Sequence, residues 1–322
     1  EISVCDWSSD VCSSDLLSFV KGGPGVDGEL TGGHDRAADN GKLVEKASVL
    51  IEALPYIRTF FGKTFVIKYG GSAMTDPELK KAVILDIILL KYVGVNPVLV
   101  HGGGPEISAW MQRVGKEPRF VNGLRVTDEE TMEIVQMVLA GKVNKEIVAL
   151  INRYGGKAIG LSGHDGNLLT ARRHSGNLGF VGEVEAINAD LLHLLNKEGY
   201  IPVIASIGAG FDGESYNINA DAVAGDLASA LKADKLIMLT DVEGIFADED
   251  DPNSLISALE VERARRMIDE GRISGGMIPK VQACIKALEN GVARTHIIDG
   301  RSLHSLLLEI FTDKGIGTMV VT

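Results

Sequence analysis

Cysteine, clusters of basic residues and long apolar runs are all scarce in this sequence. It holds three cysteines in 322 residues, and they lack the spacing of metal ligands, so neither a disulfide framework nor a zinc site is predicted. No apolar run reaches the length of about 18 residues that a membrane span requires. The sequence also does not open with the basic and apolar stretches of a secretory signal. These absences predict a cytoplasmic protein with no membrane partner.

The net charge argues against a nucleic-acid-binding surface. It is -12 at pH 7, and lysine and arginine form no cluster of the kind that binds a phosphate backbone. The composition, with 45% hydrophobic and 24% charged residues, is typical of a globular chain. The length allows one large α/β domain or two closely joined lobes.

The N-terminal part of the chain contains two segments of different character. Residues 1–41 open with a near-duplicated string that resembles a translated sequencing adapter, and they continue with a Gly- and Asp-rich stretch that predicts poor order. Residues 42–62 carry apolar side chains at three- and four-residue steps, which predicts a helix with an apolar face and a kink at Pro55. The motifs described below all lie in residues 63–322.

Short β-branched runs alternate with helical stretches from residue 63 onwards. This alternation predicts an α/β fold with a mainly parallel sheet covered by helices on both sides. Three helices are predicted to start near Pro77, Pro105 and Pro279. A capping box predicts a fourth start at Thr127, and the segment 165–184 predicts an inserted hairpin. The predicted strands are 65–69, 97–101, 158–161, 201–207, 235–240 and 295–298.

Two glycine-rich turns follow predicted strands and suit the binding of anions. In Lys68–Gly71 a strand delivers a lysine, and two glycines leave backbone amides open to a phosphate. In His101–Gly104 three glycines precede a helix N-terminus, whose dipole favours an anion. A solvated lysine and a tight turn remain alternatives, and His101 itself is interpreted as structural. Neither turn has the spacing of a P-loop or a dinucleotide fingerprint.

Two further motifs suit the recognition of a small acid. Asn122 and Gly123 predict a tight hairpin turn, after which Arg125 can hold a carboxylate through two parallel hydrogen bonds. The string NINAD, Asn217–Asp221, is predicted to lead from an extended segment into a helix. A surface ion pair for Arg125 and a helix cap at Asn219 remain alternatives.

Two positions in the C-terminal half suit the binding of a nucleotide. Lys280 follows a glycine pair at a predicted helix start, where a cation is unfavourable unless an anion shares the site. Thr240 and Asp241 follow a predicted strand, at the sheet edge where nucleotides bind in α/β folds. A solvated side chain remains the alternative for Lys280.

These motifs, in this order, resemble the acetylglutamate kinases of the amino-acid kinase family. The resemblance covers residues 42–322 and depends most on the strings NGLRVT and NINAD, since the other motifs are shared with aspartokinases and uridylate kinases. It implies a three-layer α/β sandwich with an open, mainly parallel central sheet of about eight strands. It also implies that ATP, with Mg²⁺, phosphorylates the side-chain carboxylate of N-acetyl-L-glutamate in arginine biosynthesis. The N-terminal part of 63–322 would bind acetylglutamate and the C-terminal part ATP.

The resemblance also implies roles for single residues. Lys68 and Lys280 would flank the transferring phosphoryl group, and Asp221 would hold both lysines. Arg125 and Asn217 would hold the α-carboxylate and the acetamido end of the substrate. The residues implied to bind ATP are Lys68, Gly70, Gly71, Thr240, Asp241 and Lys280, and those implied to offer amides to the substrate are Gly103 and Gly104. No protein ligand for the metal is predicted, because Mg²⁺ in this family is carried mainly by the nucleotide.

A regulatory site is implied by the same resemblance. The helix at 42–62 and the residues His296, Glu309 and Gly315 resemble arginine-inhibited members, in which such a helix joins dimers into a hexamer, a trimer of dimers. Arginine is therefore an expected inhibitor, and a nitrogen-signalling regulatory protein is a candidate partner. The alternative for the helix is packing on its own subunit.

Two other functions remain as alternatives. One is a kinase of the same fold that uses aspartate, glutamate or UMP as its acceptor. The other is a non-catalytic sensor of arginine or nucleotides. A sensor has no need of two lysines joined by an aspartate, so Lys68, Lys280 and Asp221 together favour catalysis.

Overall fold

The computed structural model describes residues 35–248, 251–313 and 315–322. Most of the predicted leader, residues 1–34, therefore lies outside the described residues. The chain divides into two units, Glu1–Glu52 and Ala53–Thr322. The second unit contains every motif discussed above except the first part of the N-terminal helix.

The helices of the described residues include a π-helical segment. Short 3₁₀ turns occur at Gly71–Met74 and Asp165–Asn167. The π segment, Met137–Val143, lies between two α-helices that it joins without a break. The α-helices are α1 (Asp35–Phe60), α2 (Pro77–Tyr92), α3 (Gly104–Arg113), α4 (Glu129–Gln136), α5 (Asn144–Arg153), α6 (Asp190–Lys197), α7 (Ala220–Ala230), α8 (Val261–Asp269), α9 (Met277–Glu289) and α10 (Ser305–Ile310).

Within the described residues the strands form three sheets, of eight, four and two strands. Their bounds are β1 (Thr64–Tyr69), β2 (Asn96–His101), β3 (Phe120–Val121), β4 (Leu124–Arg125), β5 (Ala158–Leu161), β6 (Leu169–Arg173), β7 (Gly182–Ile187), β8 (Ile201–Ala205), β9 (Ile207–Ala209), β10 (Ser215–Asn217), β11 (Lys235–Thr240), β12 (Ala258–Glu260), β13 (Arg294–Asp299) and β14 (Thr318–Val321).

The large sheet confirms the predicted α/β fold. Its order is β12-β14-β13-β11-β1-β2-β8-β5, and only the β13–β14 pair is antiparallel. The predicted strand 201–207 is wrong as a single strand: it divides at Ser206, whose carbonyl accepts from the Ile218 amide at 3.1 Å. Strands β12 and β14 were not predicted, because they are short and lie outside the regular alternation.

Helix α1 confirms the predicted N-terminal helix, although it begins at Asp35, inside the predicted leader, and runs through Pro55. Apolar side chains on its first-unit part, such as Leu43 and Leu50, are exposed. In the second unit, Phe60 at its end packs edge-on against Phe65, with ring centroids 5.3 Å apart.

The predicted helix starts are correct in part. Asp76 caps α2 by accepting hydrogen bonds from the amides of Glu78 and Leu79, so the proline stands at the first helical position as expected. The capping box is wrong by one residue, because Asp128 and not Thr127 accepts from the Thr131 amide at the start of α4.

The predicted hairpins are both present. Strands β6 and β7 form the inserted hairpin and pair antiparallel within the four-stranded sheet. Strands β3 and β4 form the smaller one, around Asn122 and Gly123. Both of these residues have positive φ, 50° and 78°, as a two-residue type I′ turn requires.

Two hydrophobic clusters cover the two faces of the large sheet. Strand β1 contributes to both, because its side chains alternate: Phe65 and Ile67 belong to one cluster, and Val66 belongs to the other. The Val66 cluster includes residues of α7 and α9, which pack against each other. Lys68 has the same parity as Val66, and β1 therefore directs it toward the α7 face.

No helix in the described part of the chain has the length and apolar character needed to cross a lipid bilayer.

Candidate active site

The carboxyl ends of β1, β2 and β11 meet at one edge of the large sheet. The three strands are parallel neighbours, and Lys68 lies in register with Val100 on one side and Met238 on the other. The turns that follow the three strands therefore emerge side by side. This is the edge at which ligands bind in open α/β sheets.

Two lysines and one aspartate form a largely buried cluster at this edge. The Lys68 ammonium lies 3.1 Å from Asp221 Oδ1, and the Lys280 ammonium lies 2.7 Å from Asp221 Oδ2. Lys68 is 9% exposed and Asp221 is 5% exposed. Asn219 caps α7 by accepting from the Asp221 amide, which fixes Asp221 in the first helical turn. The alternative of a solvated lysine is wrong for Lys68.

The cluster carries a net positive charge, with Lys68 and Asp221 buried and Lys280 half-buried. Burial lowers the pKa of Lys68, an effect that the Asp221 carboxylate opposes and Lys280 reinforces. Burial acts to raise the pKa of Asp221, but the two ammonium groups outweigh it and hold that pKa below its ordinary value. One carboxylate thus balances one of two cations, and the remaining positive charge favours an anion.

The first glycine turn is held against the end of β11. Gly71 has φ +70°, which a non-glycine residue rarely adopts, and a Cβ there would collide with the Asp241 carboxylate. That carboxylate accepts hydrogen bonds from the Ser72 amide, at 2.6 Å, and from the Ser72 hydroxyl. Asp241 therefore shapes the turn that follows Lys68.

The second glycine turn leads into α3. A Cβ on Gly103 would come within 2.7 Å of Leu139 Cδ2, so the turn is pressed against the π segment. The Gly103 carbonyl accepts the first hydrogen bond of α3, from Ile107, at 2.9 Å. The helix N-terminus behind Gly104 thus presents its amides at the same sheet edge as the lysines.

Arg125 is a buried cation that lacks a carboxylate partner among the described residues. It is 7% exposed, and burial lowers the pKa of its guanidinium. The guanidinium donates to Gly104 O at 2.9 Å and to Ser108 Oγ at 2.7 Å, and it stacks on the Phe120 ring. These contacts fix its orientation but leave its charge uncompensated, which favours a bound carboxylate. The alternative of a surface ion pair is wrong.

Asn217 is joined to the same region through Thr127. Its side-chain amide donates to Thr127 Oγ1 at 3.2 Å, and the Thr127 hydroxyl donates to the Arg125 carbonyl at 2.9 Å. Its backbone amide donates to the Phe180 carbonyl at 2.9 Å. These bonds connect the end of β10 to the small hairpin that carries Arg125.

Most of the predicted site residues line one cavity of about 300 Å³. Lys280 lines a neighbouring cavity of about 970 Å³, and Asp221 lines both. Thr240 lines neither, since its hydroxyl donates to backbone carbonyls at the end of the sheet. Asp241 also lies outside both linings. The predicted residues on the first cavity are Lys68, Gly70, Gly71, Gly103, Gly104, Arg125, Asn217 and Asp221.

Three residues that orient Arg125 were missed by sequence reasoning. Ser108 and Met111 hold the guanidinium from α3, with Arg125 Nη1 lying 3.2 Å from Met111 Sδ, and Phe120 lies beneath it. Gly104, Ser108 and Met111 are four and three residues apart, so they share one face of α3. That spacing is the signal in the sequence that could have identified the two α3 residues.

The predicted effector residues also meet, away from the cavity. His296 Nδ1 lies 2.6 Å from Glu309 Oε1, and a Cβ on Gly315 would come within 2.7 Å of Glu309 Oε2. Lys235, which was not predicted, lies 2.9 Å from His296 Nε2 and 5.3 Å from the centroid of the Phe60 ring. Burial lowers the pKa of Lys235 to about 8. This effector cluster, Lys235, His296, Glu309 and Gly315, is polar and largely buried.

Acidic, His and Cys side chains of the described residues form no group of three or more that could hold a metal ion. Asp221 is occupied by two lysines and Asp241 by Ser72.

Comparison with known proteins gives the chain its family. The sequence model of the Amino acid kinase family matches residues 63–299. This chain belongs to the amino acid kinase family. The match covers every predicted residue of the cavity, and it ends before Glu309 and Gly315.

Curated relatives within this family are similar along almost their whole length. An acetylglutamate kinase of Moorella thermoacetica is 62% identical over 289 residues, which cover 86% of this chain and 98% of that protein. An acetylglutamate kinase of Heliobacterium modesticaldum is 61% identical over 292 residues, which cover 87% of this chain and 99% of that protein.

Solved structures of other enzymes share the fold. An N-acetylglutamate synthase from Neisseria gonorrhoeae, complexed with coenzyme A and N-acetyl-glutamate, has a TM-score of 0.76 and 28% identity, and the match covers 86% of this chain and 63% of that one. A carbamate kinase from Giardia lamblia bound to AMP-PNP has a TM-score of 0.61 over 81% of this chain and 99% of that one. At 17% identity the latter likeness concerns the fold alone.

Proposed function

We propose that this member of the amino acid kinase family phosphorylates the side-chain carboxylate of N-acetyl-L-glutamate with ATP, forming N-acetyl-L-glutamyl 5-phosphate for arginine biosynthesis. The relatives that are about 60% identical over nearly their full length are acetylglutamate kinases. The observation that carries the proposal is the Lys68–Asp221–Lys280 cluster, centred on the buried Asp221, beside an uncompensated Arg125.

The acceptor in this reaction needs no general base. A side-chain carboxylate with an ordinary pKa of about 4.3 is already ionised at neutral pH. The chemical difficulty is that this anion must approach the γ-phosphate, which is also negative. Catalysis therefore requires alignment of the two reactants and neutralisation of the charge on the phosphoryl oxygens.

Lys68 and Lys280 supply that neutralisation in the proposal. They approach Asp221 from β1 and from α9, so the aspartate sets the distance between the ammonium groups. The phosphoryl group in transfer lies between the two lysines. The amides of Gly71, Gly103 and Gly104 add hydrogen bonds to oxygens on the nucleotide and the acceptor.

The acceptor occupies the cavity of about 300 Å³, which suits a small acid. Arg125 binds the α-carboxylate of the acceptor. The Arg125 guanidinium is oriented by neutral groups, so its positive charge is available to pair with that carboxylate. Asn217 binds the acetamido end. Gly70 and Gly71 contact the nucleotide phosphates, and Asp241 acts indirectly by shaping their turn. Thr240 contributes through its backbone, because its hydroxyl is occupied.

The nucleotide enters as its Mg²⁺ complex, so the metal belongs to the substrate. The chemistry of the site fits this, since Asp221 and Asp241 are engaged by protein donors and Glu106 is the one further carboxylate that lines the described cavity, too few for a protein-built metal site. The metal would balance phosphate charge, and the lysines would act on the transferring group.

The acceptor assay tests this proposal. The protein is incubated with ATP and Mg²⁺ and with N-acetylglutamate, glutamate, aspartate or UMP, and ADP release is measured for each. Hydroxylamine traps acyl phosphates as hydroxamates. We expect ADP release and hydroxamate with N-acetylglutamate alone. Faster turnover with another acceptor would instead support a different kinase of this fold, and no turnover with any acceptor would support a sensor.

We also propose that the effector cluster binds arginine and that α1 joins dimers into a hexamer. Lys235 lies under Phe60, and Phe311 packs edge-on against Tyr56, so the second-unit part of α1 contacts residues around the cluster. The Glu309 carboxylate is the group that would receive a guanidinium or an α-ammonium. A bound ligand there can therefore act on α1. A nitrogen-signalling regulatory protein and a cytoplasmic location complete the proposal.

Arginine is expected to inhibit the wild-type enzyme and to leave Glu309→Gln much less affected. The substitution keeps the size of the side chain but removes the charge, so the arginine concentration for half inhibition should rise by about tenfold or more, since a charge-assisted bond contributes about 1.5–3 kcal/mol. Activity and light scattering are measured with and without arginine. A monodisperse dimer that ignores arginine would contradict this proposal. Asp248→Asn serves as a surface control.

A further inference from the structure

His101 is fully buried beside the second glycine turn and contacts two groups. Its Nδ1 lies 2.9 Å from the Gly102 carbonyl, and its Nε2 lies 3.0 Å from Asn144 Nδ2. Asn144 is 1% exposed, and its Nδ2 also lies 2.9 Å from the Val203 carbonyl. The proposed roles of the two lysines, the arginine and the glycines leave this buried polar pair unexplained.

The two carbonyl oxygens determine the protonation of His101. Gly102 O can only accept a hydrogen bond, so Nδ1 must carry the proton. Val203 O can also only accept, so the nitrogen of the Asn144 amide, and not its oxygen, faces the imidazole. Nε2 must then be the acceptor. In a doubly protonated ring the Nε2 N–H would face the N–H of the Asn144 amide, and two donors cannot form a hydrogen bond. Burial also favours the neutral ring, since it lowers the pKa of His101 to about 4.

The orientation of Gly102 determines where the next amide points. In a planar trans peptide the C=O of Gly102 and the N–H of Gly103 point in opposite directions. Since the Gly102 carbonyl is held by His101, the Gly103 N–H points away from the imidazole. Gly102 and Gly103 line the cavity of about 300 Å³.

The π segment positions Asn144 for its hydrogen bond to His101. Asn144 is the first residue of α5, directly after the widened turn Met137–Val143. The same segment presses Leu139 and Val143 toward Gly103. Irregular π turns are frequent at functional sites because they shift the side chains that follow. The π segment thus contributes both to the packing against Gly103 and to the hydrogen bond between Asn144 and His101.

We propose that His101 and Asn144 are positioning residues for phosphoryl transfer, which hold the Gly102–Gly103 peptide so that the Gly103 N–H faces the reacting groups. The inference rests on the proposed function, since it assigns a purpose to the orientation of that amide. Neither side chain touches a substrate; Asn144 acts on His101, and His101 acts on the peptide.

The protonation of His101 is measured first, without any substrate. Protein labelled with nitrogen-15 in histidine is examined by NMR at pH 7.5, and the His101 signals are assigned by their loss in His101→Asn. We expect a neutral ring with the proton on Nδ1. A proton on Nε2, or a doubly protonated ring, overturns the proposal whether or not the enzyme uses acetylglutamate.

Kinetics of four variants then test whether His101 and Asn144 position the Gly102–Gly103 peptide. Asn144→Ala is expected to lower kcat about 10- to 100-fold with little change in either KM, since outright removal of an oxyanion donor costs about 10²–10³. Asn152→Ala is the control on the same helix: Asn152 is exposed, accepts from the Ala158 amide at 2.7 Å and lies eight residues further along the helix. His101→Asn keeps a donor where Nδ1 was and should retain more activity than His101→Leu.

Equal kcat losses in Asn144→Ala and Asn152→Ala would overturn the proposal, as would equal losses in His101→Asn and His101→Leu. If a His101 variant fails to fold, the comparison of Asn144→Ala with Asn152→Ala still tests the proposal. If the wild-type protein phosphorylates no acceptor, the proposed function fails, and the NMR measurement still tests the orientation of the imidazole by itself.

Discussion

Lys280→Met is expected to lower kcat by about 10³-fold and to leave the protein folded, since cations that stabilise phosphoryl transfer contribute about 10³–10⁵ in rate. The substitution removes one ammonium group and leaves the buried Lys68–Asp221 pair complete. The folded state therefore retains a balanced ion pair, while the transferring phosphoryl group loses half of its proposed cationic contacts. Initial rates at saturating MgATP and acetylglutamate give kcat, and a thermal melt followed by circular dichroism reports folding.

Lys63→Met is the matched control for this prediction. Lys63 precedes the first strand of the sheet and pairs with Asp234 at 3.0 Å, at the opposite end of that strand from Lys68. It should keep wild-type kcat. A Lys280→Met enzyme with kcat within tenfold of wild type would exclude Lys280 from the reaction. Asp221→Asn should reduce kcat as strongly and also lower stability, because the buried Lys68 ammonium and the half-buried Lys280 ammonium then lack their carboxylate.

Arg125→Lys is expected to lower kcat/KM for N-acetylglutamate about 100-fold, equivalent to about 2.7 kcal/mol, and to leave KM for MgATP unchanged. The guanidinium is held by Gly104 O, Ser108 and the Phe120 ring. A lysine ammonium is not planar, so it cannot stack on the Phe120 ring or donate two parallel hydrogen bonds to one carboxylate. The α-carboxylate of N-acetylglutamate therefore loses its aligned partner. Steady-state kinetics with each substrate varied in turn separate the two KM values.

Arg113→Lys provides the comparison. Arg113 also stacks on an aromatic ring, that of Trp110, at 4.8 Å, but it lies at the end of α3 and outside both cavities. It should behave as wild type. If Arg125→Lys raised the KM for MgATP and spared that for N-acetylglutamate, Arg125 would belong to the nucleotide site and the proposed acceptor geometry would be wrong.

Local geometry was the part of the fold that the sequence predicted best. Asn122 and Gly123 predict a tight turn because both tolerate positive φ, and the turn is present with positive φ at each. Asp76 before Pro77 predicts a helix start, and the cap is made by that aspartate. The capping box at Thr127 was less reliable, since Asp128 beside it is an equally good cap.

Strands outside the regular alternation were predicted poorly. Strand β12 has three residues, and because β14 pairs antiparallel with β13 and parallel with β12, both strands run opposite to the rest of the sheet. Short strands at a sheet edge are specified by their neighbours more than by their own residues. The split at Ser206 likewise depends on a hydrogen bond from Ile218, which no local pattern reveals.

The sequence by itself determined which groups are available for chemistry: two lysines next to glycine turns, an arginine after a hairpin, and an aspartate in the first turn of a helix. Each of these depends on a few adjacent residues, whose conformational preferences are local. Only the tertiary structure decided that Lys68 and Lys280, which are far apart in the chain, meet on one carboxylate, and that Thr240 turns away from the cavity. The reason is that strand pairing and helix packing, which bring distant segments together, depend on contacts that no short stretch of sequence contains.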